Sequence, residues 1–241
     1  MSQEKQKPSI EIPKPWLYKG VRYAAKRFLL NGIELTSSGI ENVPYEGGVS
    51  AEANHRNDDF DVPAAGIVLG ERRAAFYPAK SELDKFPKGW FLKNCGALFF
   101  IRGDRQDGAR VRKLASKHIS DGHLVLTFIE GGSKNTGAEM GKTLNSATRN
   151  AIENDLDEVL LVGIGGTDTP FRTDEKGLAK RKREKPERIH IEIGKVSIFD
   201  ALAPYRQAEK PLPAYVQKDI HNDIVVPALQ TIVDIAYDIA A

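Results

Sequence analysis

Residues that could carry out acid–base chemistry stand together early in the chain. His55 is followed closely by Asp58, Asp59 and Asp61. A carboxylate beside a histidine fixes the tautomer of the ring and stabilises the imidazolium that forms when the ring takes up a proton. The cluster therefore predicts a general base, although the same oxygen atoms also suit a divalent cation.

Three further segments bring polar or glycine residues to the end of an apolar run. Residues 124–128 lead to Glu130 and Gly131, where a glycine lets backbone N–H groups approach an anion closely. Residues 97–101 lead to Arg102, and an arginine at the end of a strand suits phosphate binding. Residues 160–167 end in a glycine-rich turn. None of these segments has the spacing of a Walker loop or a dinucleotide fingerprint.

Short apolar runs that alternate with helical patterns predict the elements that hold these residues. The predicted strands are 33–35, 39–43, 48–53, 74–78, 97–101, 124–128, 159–164 and 188–195. The predicted helices are 16–31, 64–70, 80–95, 107–120, 143–154 and 216–239, and a charged loop is predicted at 172–187. This alternation indicates an α/β fold, a single domain with a central mixed or mostly parallel sheet flanked by helices. We predict a flexible N-terminus at 1–15 and the domain at 16–241.

Composition excludes several classes of protein. The net charge of +2 over 241 residues is too small to indicate nucleic-acid binding. Cys95 is the single cysteine, so an intrachain disulfide and a cysteine-based metal cluster are excluded. No run has the roughly 18–20 apolar residues of a membrane span. The basic, amphipathic helix 16–31, with Trp16 and Phe28 predicted on its apolar face, either lies on an anionic membrane or packs on the core.

In order and spacing, these segments resemble the four-block pattern of the glycerolipid acyltransferase superfamily, and in particular its 1-acylglycerol-3-phosphate acyltransferases. The first block is Asn54-His55 with a following Asp, and the second is Gly96 to Arg102. The third is Glu130-Gly131, and the fourth is the strand that contains Gly163. The stretches 79–83 and 191–195 also resemble family segments, so that the resemblance covers roughly residues 20–200.

The resemblance implies a glycerol-3-phosphate acyltransferase-like fold and the transfer of a fatty acyl group to the free hydroxyl of lysophosphatidic acid. The implied catalytic pair is His55 and Asp61, and the implied acceptor-binding residues are Lys80, Arg102, Glu130 and Gly131. It implies neither a metal nor a cofactor, and no acyl-enzyme, with acyl-CoA or acyl carrier protein as the co-substrate. The implied partners are the lysophospholipid and the surface of a membrane. The implied location is cytoplasmic, peripheral on the inner face of the cell membrane.

Departures from the family pattern keep alternatives open. Phe60 occupies the position expected for the aspartate. Asp61 is followed by Val-Pro as in the family, which favours a one-residue insertion, whereas Asp59 would share the face of His55 on a regular helix. Ser133 stands where the family has Arg, and Gly163 where it has Pro. Other readings are a different acceptor (glycerol 3-phosphate, a glycolipid or an amino-acid lipid), a non-catalytic lipid-binding protein, and a metal-dependent phosphohydrolase.

Overall fold

A computed structural model describes residues 15–57, 59–131, 137–168, 171–173, 179–181, 186–207 and 212–241. The strands are β1 (Glu34–Ser38), β2 (Val49–Ala53), β3 (Ala75–Lys80), β4 (Ala97–Phe100), β5 (Leu124–Phe128), β6 (Glu158–Gly165), β7 (Phe171–Thr173), β8 (Ala179–Arg181) and β9 (Arg188–Ser197). The helices are α1 (Pro15–Ala24), α2 (Asp61–Leu69), α3 (Lys88–Asn94), α4 (Arg105–Ser120), α5 (Ser146–Glu153), α6 (Phe199–Gln207), α7 (Ala214–Ile220) and α8 (Val226–Ala240). The flexible segment predicted at 1–15 lies, except for Pro15, outside the described residues.

Seven strands form one sheet in the order β1-β9-β6-β2-β5-β3-β4. Strands β6, β2, β5, β3 and β4 run parallel to one another, so that their carboxyl ends share one edge. Strand β9 is antiparallel to β6, and β1 is parallel to β9. The sheet is therefore mixed but mostly parallel, as predicted.

The connections that leave the neighbouring strands β2 and β5 run in opposite directions along the sheet. From β2 the chain passes through α2 to β3 on one side, whereas from β5 it passes through α5 to β6 on the other side. In open α/β sheets, ligands bind outside the carboxyl ends of the strands at such a switch point. This topology therefore singles out the residues that follow β2 and β5.

Helices cover both faces of the sheet because the parallel strands are apolar on both sides. On one face, α2 and the residues Ala25 and Leu30, which follow α1, pack against side chains such as Ala51, Leu126 and Val162. On the other face, α4 packs against Phe76 and Val125, and α5 to α8 pack against residues that include Leu161. Gly163 lies in β6 beneath α8, where an added Cβ would come within 2.5 Å of the backbone oxygen of Ile232. The close approach of α8 thus accounts for glycine at this position.

Several predicted elements were wrong in detail. Residues 39–43 form no strand, because Gly39 adopts a φ of +73° and Ile40–Asn42 is a 3₁₀ turn. Within 80–95, a 3₁₀ turn at Ser81–Leu83 precedes the shorter α3. Helix α6 was not predicted, and the predicted loop 172–187 contains part of the antiparallel pair of β7 and β8. The predicted helix 216–239 corresponds to α7 and α8, joined by a π-helical turn.

Candidate active site

His55 lies just beyond the carboxyl end of β2, in the irregular stretch between this strand and α2. Its neighbour Asn54 fixes this stretch to β6, because the Asn54 amide donates to the Ile164 carbonyl at 2.9 Å and accepts from the Ile164 N–H at 2.7 Å. The imidazole packs against Phe128 with ring centroids 4.6 Å apart. About one tenth of the side chain remains accessible, 9% of its surface. The ring is therefore held firmly and can be reached only at its edge.

Among the residues that the structure describes, the carboxylate in contact with His55 belongs to Asp61, the first residue of α2. Oδ2 of Asp61 lies 2.8 Å from Nδ1 of His55, and it also accepts the backbone N–H groups of Arg56 at 2.6 Å and Asn57 at 2.7 Å. Asp61 is fully buried. Asp59 is exposed, and its N–H donates to the side chain of Asn57. The helical spacing that favours Asp59 does not apply, because α2 begins only at Asp61 and His55 precedes it in irregular backbone.

Bonding of Nδ1–H to a carboxylate determines the chemistry open to the ring. The neutral imidazole then carries its proton on Nδ1, and Nε2 is the nitrogen that can accept another. A buried carboxylate stabilises the imidazolium formed in that step. The pair of His55 and Asp61 therefore has the geometry of a general base with an orienting acid.

Glu130 follows β5 and is predicted to bind the acceptor, but its carboxylate faces protein. Oε1 accepts the His55 backbone N–H at 3.1 Å and also contacts the guanidinium of Arg56. Oε2 accepts the Gly141 N–H at 3.2 Å. The side chain retains only 1% of its exposure. The Glu130 carboxylate is thus buried and bound by protein groups, and its predicted role toward the acceptor stays a prediction.

Gly131 and Arg102 meet at the neighbouring strand ends. A guanidinium N–H of Arg102, which is exposed just beyond β4, donates to the Gly131 carbonyl at 3.0 Å. Gly131 adopts a φ of +62°, a region that favours glycine, and an added Cβ would come within 2.8 Å of Leu144. Ser133 and Lys134 lie outside the described residues.

Lys80 is the last residue of β3 and is partly buried. Because neighbouring strands lie about 4.8 Å apart, Lys80 and Arg102 start about 10 Å and about 14 Å across the sheet from the strand that leads to His55. The structure thus brings Lys80, Arg102, Gly131 and His55 to one edge of the sheet, and it brings His55 into contact with Asp61 but not with Asp59.

Burial displaces the pKa values of several groups near these strands. Burial raises the pKa of Glu52, on β2, to about 7, against hydrogen bonds from Thr148 that lower it. Burial lowers the pKa of His221 to about 4, and its Nδ1 lies 2.9 Å from Oγ1 of Thr148. Burial also raises the pKa of Cys95 to about 11, which leaves little thiolate at neutral pH. Cys95 therefore has the character of a buried small side chain.

Two residues that organise the site have no role in the sequence-based prediction. Asn54 is predicted only as part of the first block, and Arg56 is not among the predicted site residues. Both side chains are fully or almost fully buried. A buried arginine needs a carboxylate or several carbonyl partners. Position alone gives no indication of that burial, because the segment is rich in polar residues.

In the described part of the chain, no helix combines the length and apolarity needed to cross a bilayer. The same residues contain no cluster of three or more His, Cys, Asp or Glu side chains suited to a metal ion. Asp58, one of the carboxylates considered for a cation, lies outside the described residues.

Comparison with known proteins agrees with this architecture. Residues 34–171 match a family model described as Acyltransferase. No curated protein matches the sequence at a significant level. Among solved structures, the crystal structure of the 1-acyl-sn-glycerophosphate (LPA) acyltransferase PlsC from Thermotoga maritima is similar, with a TM-score of 0.56 and 20% identity. The match covers 76% of this chain and 68% of that one, and it confirms the predicted fold class.

Proposed function

The chain belongs to the acyltransferase family, and on this premise we propose that it moves a fatty acyl group from a thioester to the free hydroxyl of lysophosphatidic acid. The observation that carries the proposal is the contact of 2.8 Å between Nδ1 of His55 and the buried Oδ2 of Asp61. This contact lies at the switch point of the sheet, beside the strand ends that carry Lys80, Arg102 and Gly131. The donor is acyl-CoA or acyl carrier protein.

In the proposed reaction, Nε2 of His55 takes the proton of the acceptor hydroxyl while that oxygen attacks the thioester carbonyl carbon. Asp61 holds the ring in the required tautomer and stabilises the imidazolium. The tetrahedral intermediate then collapses, the carbon–sulfur bond breaks, and the proton passes to the departing thiolate. The products are the ester and a free thiol. Cys95 takes no part, since its thiol is buried and its pKa is raised.

The acceptor phosphate is assigned to Lys80 and Arg102. Arg102 lies beside the Gly131 carbonyl, and its guanidinium offers several donors in a planar fork. Lys80 starts one strand nearer to His55 and provides a point charge. A phosphate between them would place the glycerol hydroxyl toward the ring. Glu130 contributes indirectly, because its carboxylate already faces Arg56 and the His55 backbone.

A membrane is the proposed source of the acceptor. Helix α1 buries Leu17 and Tyr18, while Trp16 and Tyr23 are 69% and 72% exposed and share one stripe with Lys19. Trp16 was therefore predicted on the wrong face of the helix. Phe86, before α3, is 89% exposed. Exposed aromatic residues interleaved with lysines suit the interface of an anionic bilayer. The peripheral, cytoplasmic location remains a prediction.

The deciding assay measures thiol release from palmitoyl-CoA by the purified protein in the presence of lysophosphatidic acid. We expect release that depends on the acceptor and falls about 10²–10⁴-fold in His55→Ala, the range for loss of a general base. A parallel panel of glycerol 3-phosphate, a glycolipid and an amino-acid lipid identifies the acceptor. Undiminished release by His55→Ala would refute the proposed mechanism, and preference for another member of the panel would refute the proposed acceptor.

A further inference from the structure

Arg56 is a fully buried arginine whose guanidinium reaches two separate parts of the chain. One N–H contacts Oε1 of Glu130, at the end of β5. Others donate to the carbonyls of Gly137 at 2.8 Å and Glu139 at 2.9 Å. The side chain has 0% relative exposure. The Arg56 side chain thus joins the end of β5 to the segment Gly137–Gly141.

Glu130 closes the same arrangement from the other side. Its Oε1 accepts the His55 backbone N–H, and its Oε2 accepts the Gly141 N–H. The segment is held further by Gln230 of α8, which donates to the Ala138 carbonyl at 2.9 Å and accepts from the Met140 N–H at 3.1 Å. The backbone polar groups of Gly137–Gly141 are therefore bound by side chains instead of by a strand or helix.

Stability alone is a poor reason for this ion pair. Desolvation of two buried charges offsets most of their attraction, and a well-packed apolar pair is often as stable. What an arginine adds is a planar fork that fixes the direction of several hydrogen bonds at once. Its backbone N–H is in turn bound to Asp61. Residues 55–57 all bond to Oδ2 of Asp61. This stretch therefore connects the pair of His55 and Asp61 with the buried side chain of Arg56.

From these contacts we infer that Arg56 is a positioning residue of the proposed reaction, holding the His55 backbone and Gly137–Gly141 in one arrangement through Glu130. The inference rests on the proposed function for its kinetic consequence only. The arrangement itself can be tested without any substrate.

The charges around His55 give the test its direction. Asp61 faces the ring from α2, Glu130 lies at its backbone from the end of β5, and Arg56 neutralises Glu130. Tyr237, on α8, lies close to Arg56, and Asp168, beyond β6, lies close to Tyr237. Removal of the positive charge by Arg56→Met favours imidazolium and raises the pKa of His55. Removal of the negative charge by Glu130→Gln has the opposite effect.

The kinetic experiment compares Arg56→Lys, Arg56→Met, Glu130→Gln and the double variant Arg56→Met/Glu130→Gln. We expect kcat to fall about 10²-fold in Arg56→Met, the cost of displacing a catalytic group by about 1 Å, with the KM for the donor unchanged. The acidic limb of the kcat/KM profile should move to higher pH in Arg56→Met and to lower pH in Glu130→Gln. In the double variant the acidic limb should return to its wild-type pH while kcat stays low. Arg56→Lys keeps the positive charge but loses the planar guanidinium. The acidic limb of its profile should therefore stay at the wild-type pH while kcat falls.

Amide hydrogen exchange tests the arrangement independently of turnover. In Arg56→Met the amides of His55 and Gly141 should lose protection, whereas in the control Arg206→Met they should keep it. Arg206 forms an ion pair with Asp157 at the opposite edge of the sheet, at 2.6 Å. Unchanged protection of both amides, or a wild-type kcat in Arg56→Met and Arg56→Lys, would overturn the inference. Loss of protection in a chain that lacks transferase activity would support the positioning inference and refute the proposed function instead.

Discussion

Replacement of Asp61 by Asn separates the charge of this residue from its shape. All three donors that reach the carboxylate go to Oδ2, and Oδ1 has no partner among the described residues. An asparagine with its oxygen at the Oδ2 position would therefore accept the same three hydrogen bonds. The ring should keep its tautomer, and what is lost is the negative charge that stabilises the imidazolium.

The size of that loss follows from the distance between the two charges. With Nδ1 and Oδ2 2.8 Å apart, the centres of the delocalised charges lie about 4 Å apart, and two unit charges at this distance attract by about 4 kcal/mol at an effective dielectric constant of about 20. A barrier higher by this amount slows the reaction about 10³-fold. The pKa of His55 should also fall, so that the acidic limb of the pH–rate profile moves to lower pH.

The assay is thiol release under saturating donor and acceptor, over a range of pH, for Asp61→Asn and Asp59→Asn. Asp59 is the matched control, because it lies two residues away with an exposed side chain. Its variant should retain the wild-type rate. A wild-type rate in Asp61→Asn, or an equal loss in Asp59→Asn, would refute the assignment of Asp61.

Four further predictions concern stability and membrane binding. Gly165→Ala should lower the free energy of unfolding by about 1–3 kcal/mol, because the new Cβ would lie 2.2 Å from the Ala236 carbonyl oxygen. Gly108→Ala, in α4 with open space around it, should raise that free energy by about 0.5–1 kcal/mol in the same denaturation experiment. Because the pKa of Glu52 is raised from 4.5 to about 7, wild type loses stability as the pH rises between these values. As the pH rises across that window, the free energy of unfolding of Glu52→Gln should therefore increase relative to that of wild type by up to about 3 kcal/mol. Parallel stability–pH curves for the two proteins would contradict this. Trp16→Ala/Tyr23→Ala should weaken sedimentation with vesicles that contain anionic lipid, whereas the control Tyr45→Ala, exposed before β2, should leave it unchanged.

Local patterns in the sequence were enough to predict much of this molecule. Strands such as β5 and β6 are short apolar runs bounded by glycine or charged residues, and α4 has a helical spacing of apolar side chains. Because strands that alternate with helices form parallel sheets, the fold class also followed. The prediction for 39–43 failed because Ile40 and Val43 stand three residues apart, as in the observed 3₁₀ turn, and not two apart as on one face of a strand.

The sequence alone determined that His55 has a carboxylate close along the chain and that Arg102, Glu130 and Gly131 follow strands. Only the tertiary structure decided which carboxylate meets the ring, since this depends on α2 beginning at Asp61. It also decided that Glu130 contacts Arg56, 74 positions away, and that α8 leaves space only for glycine at position 163. The physical reason is that propensity and spacing act over a few residues. Burial and partner choice depend instead on how distant elements pack, and packing sets the desolvation that a buried charge must overcome.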